Sequence, residues 1–349
     1  MGEVTRRRFG LLAGAGAMAS LSRPALGAST PWAFDPTPFV NPELRRFVPG
    51  LLKASGAPPT DASVAALRRR PPARGPGDLS GWSEQMIPGP AGAPQVRVYL
   101  INARKDGPPR PALLHMHGGG FVFGAAASGI RSLLEMAQAL DCLIVTVDYR
   151  LAPETRFPGS LEDNYAGLKW LYANAARLGV DRPRIAVIGE SAGGGHAAML
   201  AIAARDRGEI PLAYQALIYP MLDDRTGSTR KTPPYQGALI WTPAENRYGW
   251  SALLGVPAGS VRVPYGSAPA RVESLRGLPP AFIGVGSIDL FVDEDIEYAR
   301  RLMDVGIPVE LNVVPGAFHG FDGFPGVEIA KSFRAALIRA LSGALKGTG

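Results

Sequence analysis

The sequence contains one cysteine, Cys142, among 349 residues. A disulfide within the chain is therefore excluded, and no disulfide framework holds the fold together. Cys142 begins an apolar run, which predicts a buried thiol. Histidine is also scarce, with four in the whole chain, so a catalytic base has to come from a very small set of side chains.

Clustered charge, internal repeats and long low-complexity tracts are also missing. The formal net charge is +7, and three of these seven charges fall within the first 30 residues. The remaining positive charge is modest and scattered, so no nucleic-acid surface is predicted. With 46% hydrophobic residues, the chain can bury a large core. Its length suits one large domain with an added subdomain, or two domains.

The first 27 residues have the pattern of an export signal. Arg6, Arg7 and Arg8 precede a short Gly/Ala/Leu stretch, and small residues follow at 25–28, as in a twin-arginine signal. The apolar stretch is too short and too glycine-rich to span a membrane stably. We therefore expect an exported protein, periplasmic or secreted, and a chain without disulfides fits a route that carries folded proteins. The alternative is a disordered basic arm on a cytoplasmic protein.

The middle and end of the chain alternate between apolar strand patterns and amphipathic helix patterns. Several strand patterns are continuous apolar runs, which indicates burial on both faces of a mostly parallel sheet. Strands are predicted at 96–101, 112–116, 143–147, 185–188, 215–219, 281–285 and 309–314, and helices at 128–140, 160–177, 192–206, 293–305 and 327–345. The fold class is therefore α/β, with a doubly wound sheet.

Two stretches interrupt the alternation and are predicted to form a helical cap. The first, residues 28–79, is rich in Pro and Arg, with helix patterns at 42–54 and 61–70 and Asp61 as the expected N-cap. The second, residues 223–265, carries aromatic side chains but no strand pattern. The core would then comprise residues 80–222 and 266–349. We expect the cap aromatics Trp32, Trp241, Tyr248 and Trp250 to close a pocket for short acyl chains.

Gly189-Glu190-Ser191-Ala192-Gly193 follows a buried strand and precedes an Ala-rich helix pattern. Strand, G-x-S-x-G and helix in that order predict a nucleophile elbow, with Ser191 as the nucleophile in a strained backbone conformation. Gly189 and Gly193 are expected because a Cβ at either position would collide with the neighbouring strand or helix.

A serine nucleophile needs a base, and elimination among the four histidines favours His319. His196 lies five residues after Ser191 on the same helix and points away from it. His115 lies within a strand, and His117 belongs to the glycine motif discussed next. His319 follows the last strand, at the sheet edge where the elbow emerges, and is the predicted base.

The orienting acid should lie between serine and histidine in the chain, after a strand. Asp289 has this position at the end of a strand. Asp293 is the alternative, although its place at a helix start is explained by favourable charge in the first turn. We therefore predict Asp289 as the acid.

A run of three glycines follows the strand that contains His115, in His117-Gly118-Gly119-Gly120. Glycines let backbone N–H groups face a ligand without obstruction, so Gly118, Gly119 and Ala192 are predicted to form an oxyanion hole. His115-x-His117 could be a metal pair, but no third ligand is suggested. We predict no metal and no organic cofactor.

Together these motifs resemble the hormone-sensitive-lipase-like family of α/β-hydrolase carboxylesterases, which carry a helical cap. The resemblance runs from about residue 80 to the C-terminus and rests on His117–Gly120, Asp148-Tyr149-Arg150-Leu151-Ala152-Pro153-Glu154, Gly189–Gly194, Asp289–Glu294 and His319-Gly320-Phe321. It implies Ser191, Asp289 and His319 as the triad, and Gly118, Gly119 and Ala192 as the hole. Glu190 stands where many members have Asp, and it keeps a carboxylate that we expect to be structural support.

The resemblance implies a serine carboxylesterase that hydrolyses short-chain acyl esters through an acyl-enzyme. An amidase such as an arylformamidase is an alternative, because it uses the same triad on an N-acyl bond. A non-catalytic ligand-binding relative is a second alternative, and the presence of His319 argues against it. The expected partner is a small-molecule ester. The cap segments match the family poorly, and they decide the substrate.

Overall fold

The structure is a computed structural model that describes residues 34–69, 79–104 and 106–346. The predicted export signal at 1–27, Trp32 and residues 70–78 of the predicted N-terminal cap segment lie outside the described residues.

The described residues contain an eight-stranded, mostly parallel sheet with the strand order β1-β2-β4-β3-β5-β6-β7-β8. Its strands are β1 (Trp82–Ile87), β2 (Val96–Ile101), β3 (Arg110–Met116), β4 (Leu143–Asp148), β5 (Val180–Glu190), β6 (Gln215–Ile218), β7 (Ala281–Gly286) and β8 (Val309–Val314). Strand β2 pairs antiparallel with β1 and β4, and the other pairs are parallel. The predicted α/β class and parallel sheet are confirmed.

The sequence patterns did not predict strand β1. Its residues Trp-Ser-Glu-Gln-Met-Ile are half polar, and only Ile87 is fully buried. The strand lies at the sheet edge and pairs with β2 alone, so it lacks the continuous apolar run that marks the central strands. Strand β5 also begins earlier than predicted, because Val180 pairs with Arg110 across an irregularity in the ladder.

The helices cover both faces of the sheet, and alternate strand side chains point into two cores. Helices α4 (Gly159–Ala173), α5 (Ala192–Arg207) and α7 (Val292–Asp304) pack in one core, and α3 (Ile130–Ala139) and α8 (Glu328–Ala344) pack in the other. Cys142 is buried as predicted, and burial raises the pKa of its thiol to about 12.

The remaining helices are α1 (Val48–Ala54) and α2 (Asp61–Arg68) in the N-terminal segment, and α6 (Pro243–Leu254) in the later one. Two predicted details are corrected. Helix α1 begins at Val48, after a 3-10 turn, and not at residue 42. Helix α2 is capped by Thr60 and not by Asp61, because the Thr60 hydroxyl accepts the N–H of Ser63.

Helices α2 and α6 are joined by a hydrogen bond in which the Tyr248 hydroxyl donates to Asp61 Oδ1 at 2.8 Å. The aromatics of residues 223–265 have different surroundings. Trp250 is fully buried and packs edge-on against Phe121 in the core, which differs from the expected pocket-closing position. Trp241 lies beside Gly120, where an added Cβ would meet its ring at 2.0 Å. Trp241 therefore lies against the glycine-rich loop.

No helix in the described part of the chain is both long and apolar enough to cross a membrane.

Candidate active site

The turn between β5 and α5 holds Ser191 in a conformation that L residues rarely adopt, with φ 59° and ψ −122°. An added Cβ on Gly189 would lie 2.2 Å from the carbonyl oxygen of Gly193, and one on Gly193 would lie 2.0 Å from the carbonyl oxygen of Met116. Neither position can accept a side chain without moving backbone. The tight turn therefore depends on both glycines, and it places Ser191 at the carboxyl end of the central strand.

Ser191, His319 and Asp289 are brought together by three separate loops at this end of the sheet. Ser191 Oγ lies 2.8 Å from His319 Nε2, and His319 Nδ1 lies 2.8 Å from Asp289 Oδ2. The other oxygen of Asp289 accepts the N–H of Phe291 at 3.0 Å. Because an ionised carboxylate only accepts, Nδ1 carries the ring proton and Nε2 can accept the proton of the serine hydroxyl.

The second candidate acid, Asp293, lies in the first turn of α7 and does not contact His319. Its Oδ1 is 3.5 Å from Nε2 of Gln236. Asp289, and not Asp293, is therefore the carboxylate that contacts His319.

The other three histidines have separate environments. His196 Nδ1 donates to the carbonyl of Ala192 and Nε2 accepts from Ser160 Oγ at 2.9 Å, and burial lowers the pKa of His196 to about 3. His117 stacks on Tyr149 with ring centroids 4.2 Å apart, and its Nδ1 donates to the carbonyl of Gly118. His115 contacts Glu190 and Thr146.

In the described residues, no group of three or more His, Cys, Asp or Glu side chains is arranged to hold a metal ion.

The glycine-rich loop lies directly against the nucleophile turn. An added Cβ on Gly118 would lie 3.4 Å from Cβ of Ser191. Within the described residues, the N–H of Gly119 donates to no protein acceptor, and Ala192 is the first residue of α5, where a helical N–H has no partner within the helix. The N–H of Gly118 lies close enough to the Glu190 carboxylate to lower its pKa. Unpartnered donors therefore lie beside the serine.

Aromatic rings enclose the histidine, and the sequence patterns did not predict them. The rings of Tyr219 and Phe291 pack edge-on to His319, with centroids 4.8 Å and 5.2 Å away. Tyr219 has φ 34° and follows β6, so its position at the carboxyl end of a central strand was the signal available in the sequence. Ser191, His319 and Asp289 are 7%, 3% and 0% exposed, which makes the site dry enough to strengthen its hydrogen bonds.

Comparison with known proteins identifies the family of the chain. A family description of the alpha/beta hydrolase fold matches residues 113–323, more than half of the chain. The chain belongs to the hormone-sensitive-lipase-like family of α/β hydrolases.

Among curated relatives of this α/β hydrolase, Esterase LipI of Mycobacterium tuberculosis is 36% identical over 246 residues, which are 69% of this chain and 75% of LipI. Ethyl acetate hydrolase of Pseudomonas putida is 34% identical over 223 residues, which are 60% of this chain and 65% of that protein. The structure of a bacterial heroin esterase aligns with a TM-score of 0.76 at 35% identity, covering 90% of this chain and 100% of that one. The α/β hydrolase described here is a carboxylic ester hydrolase.

Proposed function

We propose that the protein is a serine carboxylesterase that cleaves short-chain acyl esters through a covalent acyl-enzyme on Ser191. The observation that carries the proposal is a continuous chain of two contacts, Ser191 Oγ to His319 Nε2 and His319 Nδ1 to Asp289 Oδ2, each at 2.8 Å. A hydroxyl is a weak nucleophile until a base takes its proton, and this chain supplies the base and its orienting acid.

In the proposed reaction, Ser191 Oγ attacks the ester carbonyl carbon while Nε2 of His319 takes the hydroxyl proton. The protonated histidine then gives that proton to the departing alkoxide, and the C–O bond breaks to leave an acyl-serine and a free alcohol. Water repeats the sequence on the acyl-serine and releases the carboxylic acid. Asp289 holds the imidazole in the required tautomer and stabilises its positive charge.

The negative charge formed on the carbonyl oxygen requires donors that are in place before the reaction. Gly119 and Ala192 support this role, because the N–H of Gly119 donates to no acceptor in the described residues and that of Ala192 lies at the start of α5. Gly118, the third predicted donor, has its N–H directed at Glu190. We therefore assign the hole chiefly to Gly119 and Ala192, with Gly118 completing the loop.

Two observations support a short acyl group. The indole of Trp241 is packed against Gly120, next to the proposed oxyanion donors, so a bulky ring lies beside the loop that would bind the ester carbonyl. A curated relative carries the name ethyl acetate hydrolase. The proposed substrate is therefore a small-molecule ester with a short acyl chain. Residues 28–79 and 223–265 would form the cap that delimits the pocket.

An amidase remains the second candidate, because the same three side chains can cleave an N-acyl bond. Hydrolysis of p-nitrophenyl acetate should be compared with that of p-nitroacetanilide under the same conditions. We expect the ester to be cleaved at least about 10³-fold faster in kcat/KM, because the aryloxide departs without the protonation that an anilide requires. Faster cleavage of the anilide would identify an amidase, and cleavage of neither would favour a ligand-binding protein.

The export signal is also a proposal, since residues 1–27 lie outside the described residues. Replacement of Arg6, Arg7 and Arg8 by Lys should retain the protein in the cytoplasm. An intact N-terminus on the mature protein would contradict a cleaved signal.

A further inference from the structure

A second chain of hydrogen bonds, buried at Thr146 and His115 and half-buried at Glu190, connects three adjacent strands beneath the candidate site. His115 Nε2 lies 2.9 Å from Glu190 Oε2, and His115 Nδ1 lies 2.7 Å from Thr146 Oγ1. His115 on β3 is in register with Thr146 on β4, and β3 pairs on its other side with β5, which ends at Glu190. Because a carboxylate only accepts, Nε2 of His115 donates to Glu190.

Glu190 contacts both parts of the proposed catalytic machinery. It immediately precedes Ser191, and its carboxylate faces the N–H of Gly118. An added Cβ on Gly118 would lie 3.0 Å from the carbonyl oxygen of Glu190 and 3.6 Å from its Cγ. The loop with the proposed oxyanion donors therefore packs against Glu190, the residue before the nucleophile.

The contacts also explain how a carboxylate is tolerated beside a reaction that develops negative charge. Burial acts to raise the pKa of Glu190, but His115, His117 and the Gly118 N–H outweigh it and lower this pKa below its usual value. The group is therefore ionised at neutral pH, and its lone pairs are directed at His115 and Gly118. Glu190 at the end of β5 therefore connects β3 and the loop that follows β3 to the turn that carries Ser191, through charge-assisted contacts.

We propose that Glu190 and His115 are positioning residues that hold the glycine-rich loop against the nucleophile turn, so that the N–H of Gly119 is aligned before the substrate arrives. The proposal rests on the serine esterase function proposed above. Neither side chain touches the reacting atoms. Their loss should weaken binding of the transition state and leave binding of the ground state nearly unchanged.

Glu190→Gln is the informative substitution, because glutamine has one acceptor oxygen where glutamate has two. Its NH2 group donates and cannot accept, and its neutral oxygen binds the N–H groups of His115 and Gly118 less strongly than the carboxylate does. His115→Leu removes the donor from the other side. The double variant shows whether the residues act as a pair, and Glu209→Gln provides a control at an exposed carboxylate that pairs with Lys169.

Steady-state hydrolysis of p-nitrophenyl acetate and inhibition by a trifluoromethyl ketone should be measured for the full chain and each variant. We expect each single variant to lower kcat by about 10- to 100-fold, since misplacing a preorganised donor costs part of its effect. KM should stay within about threefold of the parent value, and the inhibition constant should rise in parallel with the loss of kcat.

The kcat of the double variant should be no more than about threefold below that of the less active single variant, because the loss of one partner already releases the loop. Glu209→Gln should match the parent.

Three results would overturn the pairing. In the first, a folded single variant keeps kcat within threefold of the parent. In the second, the losses in kcat of the two single variants multiply in the double variant. In the third, kcat falls while the inhibition constant of the trifluoromethyl ketone is unchanged. If Glu190→Gln fails to fold, Glu190→Asp should be measured in its place. Aspartate keeps the negative charge, but its side chain is one methylene shorter, so its oxygens lie farther from His115 and Gly118. A loss of at least about fivefold in kcat is then expected, and parental kcat would refute the role.

Ser191→Ala separates this proposal from the function on which it depends. If the parent and Ser191→Ala hydrolyse the ester equally, the serine esterase function fails. If Ser191→Ala is inactive while Glu190→Gln and His115→Leu remain fully active, only the positioning role fails.

Discussion

At the scale of single residues, two carboxylates four positions apart follow β7, and their surroundings differ. Asp289 accepts from His319 and from the Phe291 N–H, whereas Asp293 contacts Gln236. The two can therefore be compared as matched variants, one in the loop after β7 and one in the first turn of α7. Only Asp289 can determine which nitrogen of His319 carries the proton.

Asp289→Asn should lower kcat for p-nitrophenyl acetate by about 10³- to 10⁴-fold, because an amide in place of the carboxylate favours the wrong imidazole tautomer. Asp293→Asn should stay within about threefold of the parent. Both variants should be assayed at equal folded fraction, measured by circular dichroism. A larger loss for Asp293→Asn would reverse the assignment of the acid.

The sequence alone is enough to predict Ser191, His319 and Asp289 as the catalytic triad, because few alternatives exist and each of the three follows a strand. The Glu190–His115–Thr146 chain could not be predicted in the same way. It depends on the spatial order β4-β3-β5, which differs from the order along the chain. Glu190 was expected to be structural support, and the structure gives that expectation specific partners.

At the scale of elements, the elbow depends on the absence of side chains where α5 meets the end of β3. Gly193 and Gly343 both lie within helices, and their environments differ. An added Cβ on Gly193 would meet the Met116 carbonyl oxygen, whereas one on Gly343 would have no neighbour within 4 Å.

Gly193→Ala should lower the free energy of unfolding by about 3 kcal/mol or more, since backbone must move to admit the methyl group. It should also lose most esterase activity. Gly343→Ala should keep full activity and gain up to about 1 kcal/mol, because alanine is the better helix former. Urea unfolding monitored by circular dichroism gives both values. A Gly193→Ala variant with parental stability would contradict the close approach of helix and strand.

Helices and strands can be predicted from the sequence wherever burial of one face produces a regular spacing of apolar residues. The observed bounds of β2 and β8 are the predicted ones, and in β8 the apolar Val309, Leu311 and Val313 alternate with polar residues. The edge strand β1 was missed because solvent contact leaves it half polar. The predicted start of α2 at residue 61 is the observed one, but its N-cap was misplaced by one residue, because Thr60 and Asp61 are both good caps and only the bond to Ser63 distinguishes them.

At the scale of the whole molecule, substrate length depends on how the cap segments and the hydrolase core meet. The sequence suggested several aromatic side chains above the serine, but Trp250 is buried in the core. Trp241, beside Gly120, is the bulky group that lies next to the proposed oxyanion loop. Packing of this kind is set by tertiary contacts, so the pattern of aromatics alone could not resolve it.

A series of p-nitrophenyl esters should therefore show kcat/KM with a maximum at acyl chains of about two to six carbons and a decline beyond about eight. Each methylene that is buried should contribute roughly 0.8 kcal/mol until the pocket is full. Trp241→Ala should move the maximum to longer chains, and Tyr248→Phe, which removes only a hydroxyl, serves as the control. A parental maximum at ten carbons or more would show an open groove.

The most direct test of the central claim is to locate the covalent intermediate. The protein should be treated with diethyl p-nitrophenyl phosphate, which transfers a phosphoryl group to an activated serine, and the labelled peptide identified by mass spectrometry. One equivalent of label on Ser191 is predicted, with loss of ester hydrolysis in proportion to labelling and no labelling of Ser191→Ala. Ester hydrolysis that persists in an unlabelled protein, or label on a residue other than Ser191 as activity is lost, would contradict the claim.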